Sequence, residues 1–326
     1  MTLLLTDNST LTKFIDGVVI GNKKTAFDYS RRLETFRLFV LDKYKMSLDE
    51  LILTLTTVSH GPKVDVYNLL SEYIGYIHKE KNVSPLTLKL LLSTVKCYLE
   101  TFDVEISPKK YKLKVRLPRV IRAEKEALSR QDVQTILNSC HTIRLKTYVL
   151  FLASSGCRAV EALSIRLCDI NWNNDPVTIF IRGEFTKTKK DHIVMLTKEM
   201  EQQLKSWIEY KHRTRSINHY DPITKKSNVE KITPKINEEA LIFASWHTQS
   251  NDPTDIYPNI LLTFDQVLKR LGGKFAAYEN SYKKRKKITF HSLRRYVRSM
   301  VSNLGYSDFA EQIILNCCTY TDRLHF

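Results

Sequence analysis

The sequence predicts a mainly α protein with a small antiparallel sheet, in which a helical N-terminal domain precedes a mixed α/β domain. Three observations carry that class. Only nine glycines and nine prolines punctuate 326 residues, too few for a turn-rich β protein. Apolar residues recur at helical spacing through most of the first hundred positions. Two short β-branched runs, Val177 to Ile181 and His192 to Leu196, stand alone among helical patterns in the second half. The length suggests two domains, and 43% hydrophobic residues suffice for a real core.

The first predicted helix runs from Asn22 to Tyr44, where Phe27, Leu33, Phe36, Leu38 and Phe39 share the period. Ser47 to Thr56, Lys63 to Glu80 and Ser84 to Phe102 follow. Ser84 ahead of Pro85 reads as an N-cap with proline at the first helical position. These helices make a domain over residues 1–105. From Ile106 to Ala123 the basic residues Lys109, Lys110, Lys112, Lys114, Arg116, Arg119 and Arg122 occur without an acid, around Pro108 and Pro118. That pattern predicts an extended interdomain linker, residues 106–125, lying along a polyanion such as a DNA backbone.

A second domain, residues 126–326, opens at Ser129, an N-cap with Asp132 in the first turn. One helix runs through Cys140 and a more apolar one from Leu145 to Ser154. Gly156 breaks the pattern before a helix from Arg158 to Leu167. The two strands come next, then a helix from Thr197 to His212. Thr214 to Glu239 is polar, with Pro222 and Pro234, and is predicted to be a surface loop. Helices resume at Asn259 to Leu271 and from His291 onward.

Lys plus Arg number 51 against 35 Asp plus Glu, a formal charge of +16 that favours a polyanionic partner. The six cysteines form no CxxC pair and have no histidine at metal-ligand spacing, so free thiols in a reducing cytosol are expected, with no metal or other cofactor. Neither a signal peptide nor a membrane-length apolar run is present, and a cytoplasmic, membrane-free protein is the expectation.

Breaking and remaking a phosphodiester needs rigid donors around the phosphate oxygens, an acid for the leaving oxygen and a nucleophile that keeps the cut end. Arg158 follows the glycine break at a predicted helix start, where backbone N–H groups also suit phosphate. Glu161, three residues on, can orient its guanidinium. His291 and Arg294 are spaced to share a helix face. Lys283, Lys284, Arg285, Lys286 and Lys287 precede them, and no acid occurs from Asn280 to Arg298. Between these segments, Thr186 to His192 reads as a hairpin tip carrying Lys187, Lys189 and Lys190.

The order Arg, hairpin Lys, His-x-x-Arg, Tyr resembles that of the tyrosine recombinases, or integrases. SSGCRAVEALSIRLCDIN is similar to that family's first-arginine box, TKTKKDHIVML to its lysine hairpin and HSLRRYVRSMVSNLGY to its His-x-x-Arg helix. The style is similar to integrases of archaea and their viruses. The resemblance covers Leu128 onward and implies that the first domain is a helical core-binding domain on DNA. It implies Arg158 and Arg294 as the phosphate clamp and Lys187 as general acid, with Lys189 and Lys190 as alternatives. His291 would assist proton transfer or hold the phosphate, and Arg295 would contact the DNA backbone.

The tail departs from the family. Leu315-Asn316 stands where Gly-His is usual, so Asn316 can donate a hydrogen bond but cannot serve as an acid. Tyr320 is the implied nucleophile; Tyr306, about three helical turns past Arg294, suits packing better. The few residues after Tyr320 are short for the helix that many relatives dock on a neighbouring subunit. The implied activity is site-specific recombination through a 3′-phosphotyrosyl intermediate, by a two-domain clamp on double-stranded DNA. The implied assembly is a homotetramer on DNA and a monomer or dimer when free. A non-catalytic DNA-binding remnant and a type IB-like topoisomerase are the rival readings.

Overall fold

The computed structural model describes residues 9–57, 64–81, 83–119, 127–221, 226–245, 251–276 and 287–305. The chain divides into two compact units, Met1–Ala123 and Glu124–Phe326.

The first unit is all helical. Its helices are α1 (Ser9–Gly21), α2 (Lys23–Tyr44), α3 (Leu48–Thr56), α4 (Val66–Lys81), α5 (Pro85–Thr101) and α6 (Pro108–Lys114). Side-chain caps set several boundaries. Asn22 accepts from the Thr25 N–H at 3.0 Å, and Ser84 accepts from Thr87 N–H ahead of Pro85, as its sequence predicts. Ser47 and Glu50 form a reciprocal capping box. Asp49, on α3, accepts from the backbone of Ser9 and Thr10 and so closes the start of α1. Burial pushes the Asp49 carboxyl up, but the hydrogen bonds from Thr10 and Ser9 outweigh it and hold the group below its usual range.

The core of this unit gathers Leu33, Phe36, Phe39, Tyr73, Leu88 and Tyr98. The stripe expected on α2 is partly corrected here. Phe27 is 61% exposed and Leu38 is also at the surface, while Ala26 and Val40 are buried. The sequence reading passed over α1 entirely. It also missed α6: Ser107 accepts from Lys110 N–H and Pro108 opens the helix, so the segment expected to be extended is coiled over Pro108–Lys114. Val115 then enters the core and Leu117 packs against it. The run is also less uncompensated than its sequence implies, because Lys114 pairs with Asp65 at 3.1 Å.

The second unit contains α7 (Arg130–Asn138), α8 (Ile143–Ser155), α9 (Ala159–Leu163), β1 (Ile170–Asn171), β2 (Thr178–Ile181), β3 (His192–Met195), α10 (Lys198–His212), β4 (Arg215–Asp221), β5 (Lys226–Ile232), α11 (Pro253–Leu271) and α12 (Phe290–Asn303). Strands β1, β2 and β3 form an antiparallel sheet in that order, with Ile170 opposite Ile179 and Ile179 opposite Val194. Aromatic side chains fill the core. Phe290 stacks on Phe264 at 4.4 Å between centroids and meets Tyr148 edge-on at 5.0 Å, while Phe243 packs on the same tyrosine. Burying an aromatic side chain of that size contributes roughly 1.5–3 kcal/mol.

Three expectations need correction in this unit. The helix expected from Arg158 to Leu167 is the short α9 followed by a 3-10 turn at Leu167–Asp169. Glu161 and Asp169 each reach back to the N–H three residues earlier, closing two separate turns instead of one helix. The loop expected over Thr214 to Glu239 contains a two-stranded antiparallel ribbon, β4 with β5. Its strands are too polar to announce themselves by alternation. Finally, α11 starts at Pro253, capped by Asp252, six positions before its predicted start. Among the described residues no helix is long and apolar enough to cross a membrane.

Candidate active site

The site is built first at the end of α8. Gly156 takes the left-handed conformation, φ 67°, and its N–H bonds back to Leu152. A side chain there would be strained, which explains glycine at this corner. The chain then turns and Arg158 becomes the N-cap residue of α9. Glu161, 1% exposed, accepts twice from Arg158: from its backbone N–H at 2.9 Å and from Nη1 at 2.6 Å. One carboxylate therefore fixes both the turn and the direction of the guanidinium, which stays about one-third exposed. Tyr148 donates to the carbonyl of Ala159 at 2.9 Å and ties α9 to α8.

The second arginine arrives from α12. Phe290, at the first position of that helix, is wedged among Tyr148, Tyr257 and Phe264 and fixes where the helix begins. One turn on, Arg294 is buried and donates through Nη1 to the carbonyl of Gly156. Arg158 and Arg294, far apart in sequence, thus meet the same glycine corner. His291 is exposed at the start of α12, and Arg295 is exposed on the helix beyond it.

Lys187 sits on the connection between β2 and β3, which is longer and more structured than a tight hairpin. A 3-10 turn at Gly183–Phe185 comes first, and the buried Thr186 then anchors the tip. The Thr186 hydroxyl lies between the carbonyls of Gly183 and Lys190 and accepts from the Lys190 N–H at 3.1 Å. Asp191 accepts from Gly183 N–H at 2.5 Å. A Cβ on Gly183 would stand 2.9 Å from the Lys189 carbonyl oxygen, so the close approach requires glycine. Lys189 spends its ammonium on the Glu184 carbonyl at 2.8 Å. Lys187 is exposed and makes no hydrogen bond or ion pair among the described residues.

One residue at this corner escaped the sequence reading. His192, at the start of β3, is half-buried, and its Nε2 is buried without a hydrogen-bond partner. Burial lowers its pKa; Glu161 and a hydrogen bond to the Lys190 backbone pull upward, and Arg158 and Arg294 push downward. Strand alternation was the available signal, because His192 shares the inward face with Val194 while Ile193 and Met195 face out.

Cys157, Glu161 and His192 bring one ligand atom each within 4.8 Å of the others. They do not fit a metal ion well. Both Glu161 oxygens already accept from Arg158, and two guanidinium groups add positive charge nearby. Burial also pushes the Cys157 thiol up to about 12, against the Ser155 hydrogen bond and the two arginines, so it holds its proton.

Of the basic residues expected on DNA, Lys109, Lys110, Lys112, Lys114, Arg116 and Arg119 are all exposed in the first unit. Lys287 is half-buried just before α12. Lys283, Lys284, Arg285, Lys286, Tyr306, Asn316 and Tyr320 lie outside the described residues.

The model of the phage integrase family matches residues 126–315, more than half of the chain, and the chain belongs to that family. It is 29% identical over 133 residues to the tyrosine recombinase XerA of Saccharolobus solfataricus, a match covering 41% of this chain and 42% of that protein. The chain thus spans about two-fifths of the length of that curated relative.

Two solved structures share the fold. XerH site-specific recombinase bound to palindromic difH substrate, a post-cleavage complex, aligns over 94% of this chain and 76% of its own at 15% identity and a TM-score of 0.58. A lambda integrase(75-356) dimer bound to a COC′ core site aligns over 100% and 98%, at 15% identity and a TM-score of 0.56. At such identity these likenesses speak for the fold, and the expected fold class stands.

Proposed function

We propose that the chain is a site-specific DNA recombinase, an integrase that cuts and rejoins strands through a 3′-phosphotyrosyl intermediate. The observation that carries this reading is the meeting of Arg158 and Arg294 at Gly156, one held by Glu161 and the other by a backbone carbonyl. Two fixed guanidinium groups suit the charge that builds on a phosphate as it becomes five-coordinate. The described four cysteines are free, as suits a cytoplasmic protein that meets the nucleoid when DNA-bound.

In this mechanism the Tyr320 hydroxyl passes its proton to His291 as its oxygen attacks phosphorus, and the bond to the 5′ oxygen breaks. Lys187, exposed on its anchored turn, gives that oxygen a proton. A partner strand's 5′ hydroxyl then attacks the phosphotyrosine, the tyrosine oxygen leaves, and the backbone is restored without an external energy source. His291 supports the proton transfers or the phosphate, Asn316 offers a hydrogen bond, and Arg295 with the Lys109 to Arg119 and Lys283 to Lys287 runs binds the DNA backbone. Residues 1–105 act as the core-binding domain, and four copies assemble on paired double-stranded sites. The reaction itself calls on no metal or nucleotide.

A second reading has its own observation. Asn316 occupies the place of the family's second histidine, which favours a DNA-binding protein that no longer cuts. One experiment separates the two. Nicked duplexes tiled across the DNA beside the protein's own gene are incubated with it, denatured and resolved. An adduct that survives denaturation and disappears in Tyr320→Phe supports the recombinase. Retained DNA with no adduct on any duplex supports the binding-only reading.

A further inference from the structure

A second cationic place lies in the same unit, lined by residues other than those of α9 and α12. A cleft of about 560 Å³ opens between the start of α8, the end of α10 with the first residue of β4, and the middle of α11. His141, Arg144, Lys211 and Arg215 line it, and no acid is among the described residues that do.

Two of these cations are held under conditions a folded core does not need. Arg144 has a buried Nε without a partner, and its guanidinium makes no hydrogen bond or ion pair among the described residues. Lys211 is 5% exposed and donates to the carbonyls of Leu241 at 2.7 Å and Ile242 at 3.2 Å, with no carboxylate beside it among the described residues. Burial and the neighbouring Arg144 charge pull its ammonium down to about 8. Ile242 already receives the indole N–H of Trp207 at 3.1 Å, so packing does not require the lysine for that carbonyl. Like charges kept out of water without a counter-charge cost free energy, and proteins keep such groups where a ligand completes them.

We propose that this cleft binds a small phosphate ester, its phosphate on Arg144 and Lys211 and its organic part against Ile143 and Trp207. A phosphate brings close to two negative charges and three strong acceptor oxygens, enough for a guanidinium and an ammonium together; a carboxylate brings one charge. The volume is in the range that small-molecule sites occupy and exceeds what a bare phosphate fills. A backbone phosphate of DNA shares the acceptor oxygens but is a diester with a single charge, and the test separates it from a free ester.

Thermal unfolding and calorimetry of the full chain with inorganic phosphate, phenyl phosphate and a blunt DNA duplex make that test. Phenyl phosphate binds the wild type more tightly than inorganic phosphate, by about tenfold for the buried ring. Arg144→Gln and Lys211→Met each weaken it by about tenfold or more, while Lys269→Ala, exposed on α11 outside the cleft, leaves it unchanged. Thr263→Phe, which fills the cleft and keeps its charges, also abolishes binding, so the result does not hang on one variant's folding. If the duplex competes with phenyl phosphate and Arg144→Gln weakens duplex binding, the phosphate belongs to DNA; if both bind together, it belongs to a free ester. No binding of phenyl phosphate by the wild type overturns the proposal. So does binding that survives both Arg144→Gln and Thr263→Phe, or binding lost in Lys269→Ala.

Discussion

The second unit holds arginine in two different ways. At the Gly156 corner each guanidinium has a built partner: the Glu161 carboxylate for Arg158 and the Gly156 carbonyl for Arg294. At the cleft, Arg144 has none among the described residues, and Lys211 has only carbonyls. Partners that aim a charge prepare it for a reacting group whose position must be fixed within fractions of an ångström. Arg144, a charge without a partner among the described residues, instead waits for an anion to neutralise it. The first arrangement suits chemistry and the second suits affinity, although both use the same residue types.

The largest effect expected on this comparison comes from Phe290→Ala. It removes the wedge that sets α12, and urea unfolding should show a loss of roughly 3–5 kcal/mol. Arg158→Ala comes next. Adduct formation should slow by about 10²–10³, the usual effect of deleting one donor to a transition-state oxyanion, and stability should fall as well, because the buried Glu161 carboxylate loses its counter-charge. Glu161→Gln should cost on the order of 1–3 kcal/mol of stability and slow adduct formation without abolishing it. An unchanged rate would show that the carboxylate does not aim Arg158.

The smallest effects are those of pH, and they run on opposite sides of neutrality. His192 has a lowered pKa, so below its ordinary value of 6.5 the unfolded chain binds the proton more readily than the folded one. Stability therefore falls as the pH drops through that region, less so in His192→Asn. Lys211 titrates near 8 when folded and at 10.5 when unfolded. Between those values the unfolded chain again binds more protons, so this lysine makes the protein more stable as pH rises across the window. The difference between wild type and Lys211→Met isolates that gain.

How much of this could be read from the sequence depended on how local each signal was. Gly156, Arg158 and Glu161 lie within six residues and define their own turn, so that turn and the Arg158–Glu161 pair were visible before any packing was known. The Ser84-Pro85 helix start was equally local. The helix at Pro108–Lys114 was not, because its basic text masks a helix that Val115 and Tyr111 tie to the core. The sequences of β4 and β5 are mostly polar and carry no clear period. His192 needed the register of β3 to place it beside Glu161, and the cleft needs α8, α10 and α11 together. What escaped the sequence was tertiary.

The central claim is that Arg158 and Arg294 neutralise one phosphate in the transition state. Once a cleaved duplex is identified, the direct measurement is adduct formation on that duplex carrying a neutral methylphosphonate in place of the scissile phosphate. With that oxygen charge gone, the deficits of Arg158→Ala and Arg294→Ala relative to wild type should shrink by about tenfold or more. Deficits of equal size on the phosphate and the methylphosphonate would contradict the claim and leave the two arginines as structural supports of the Gly156 corner.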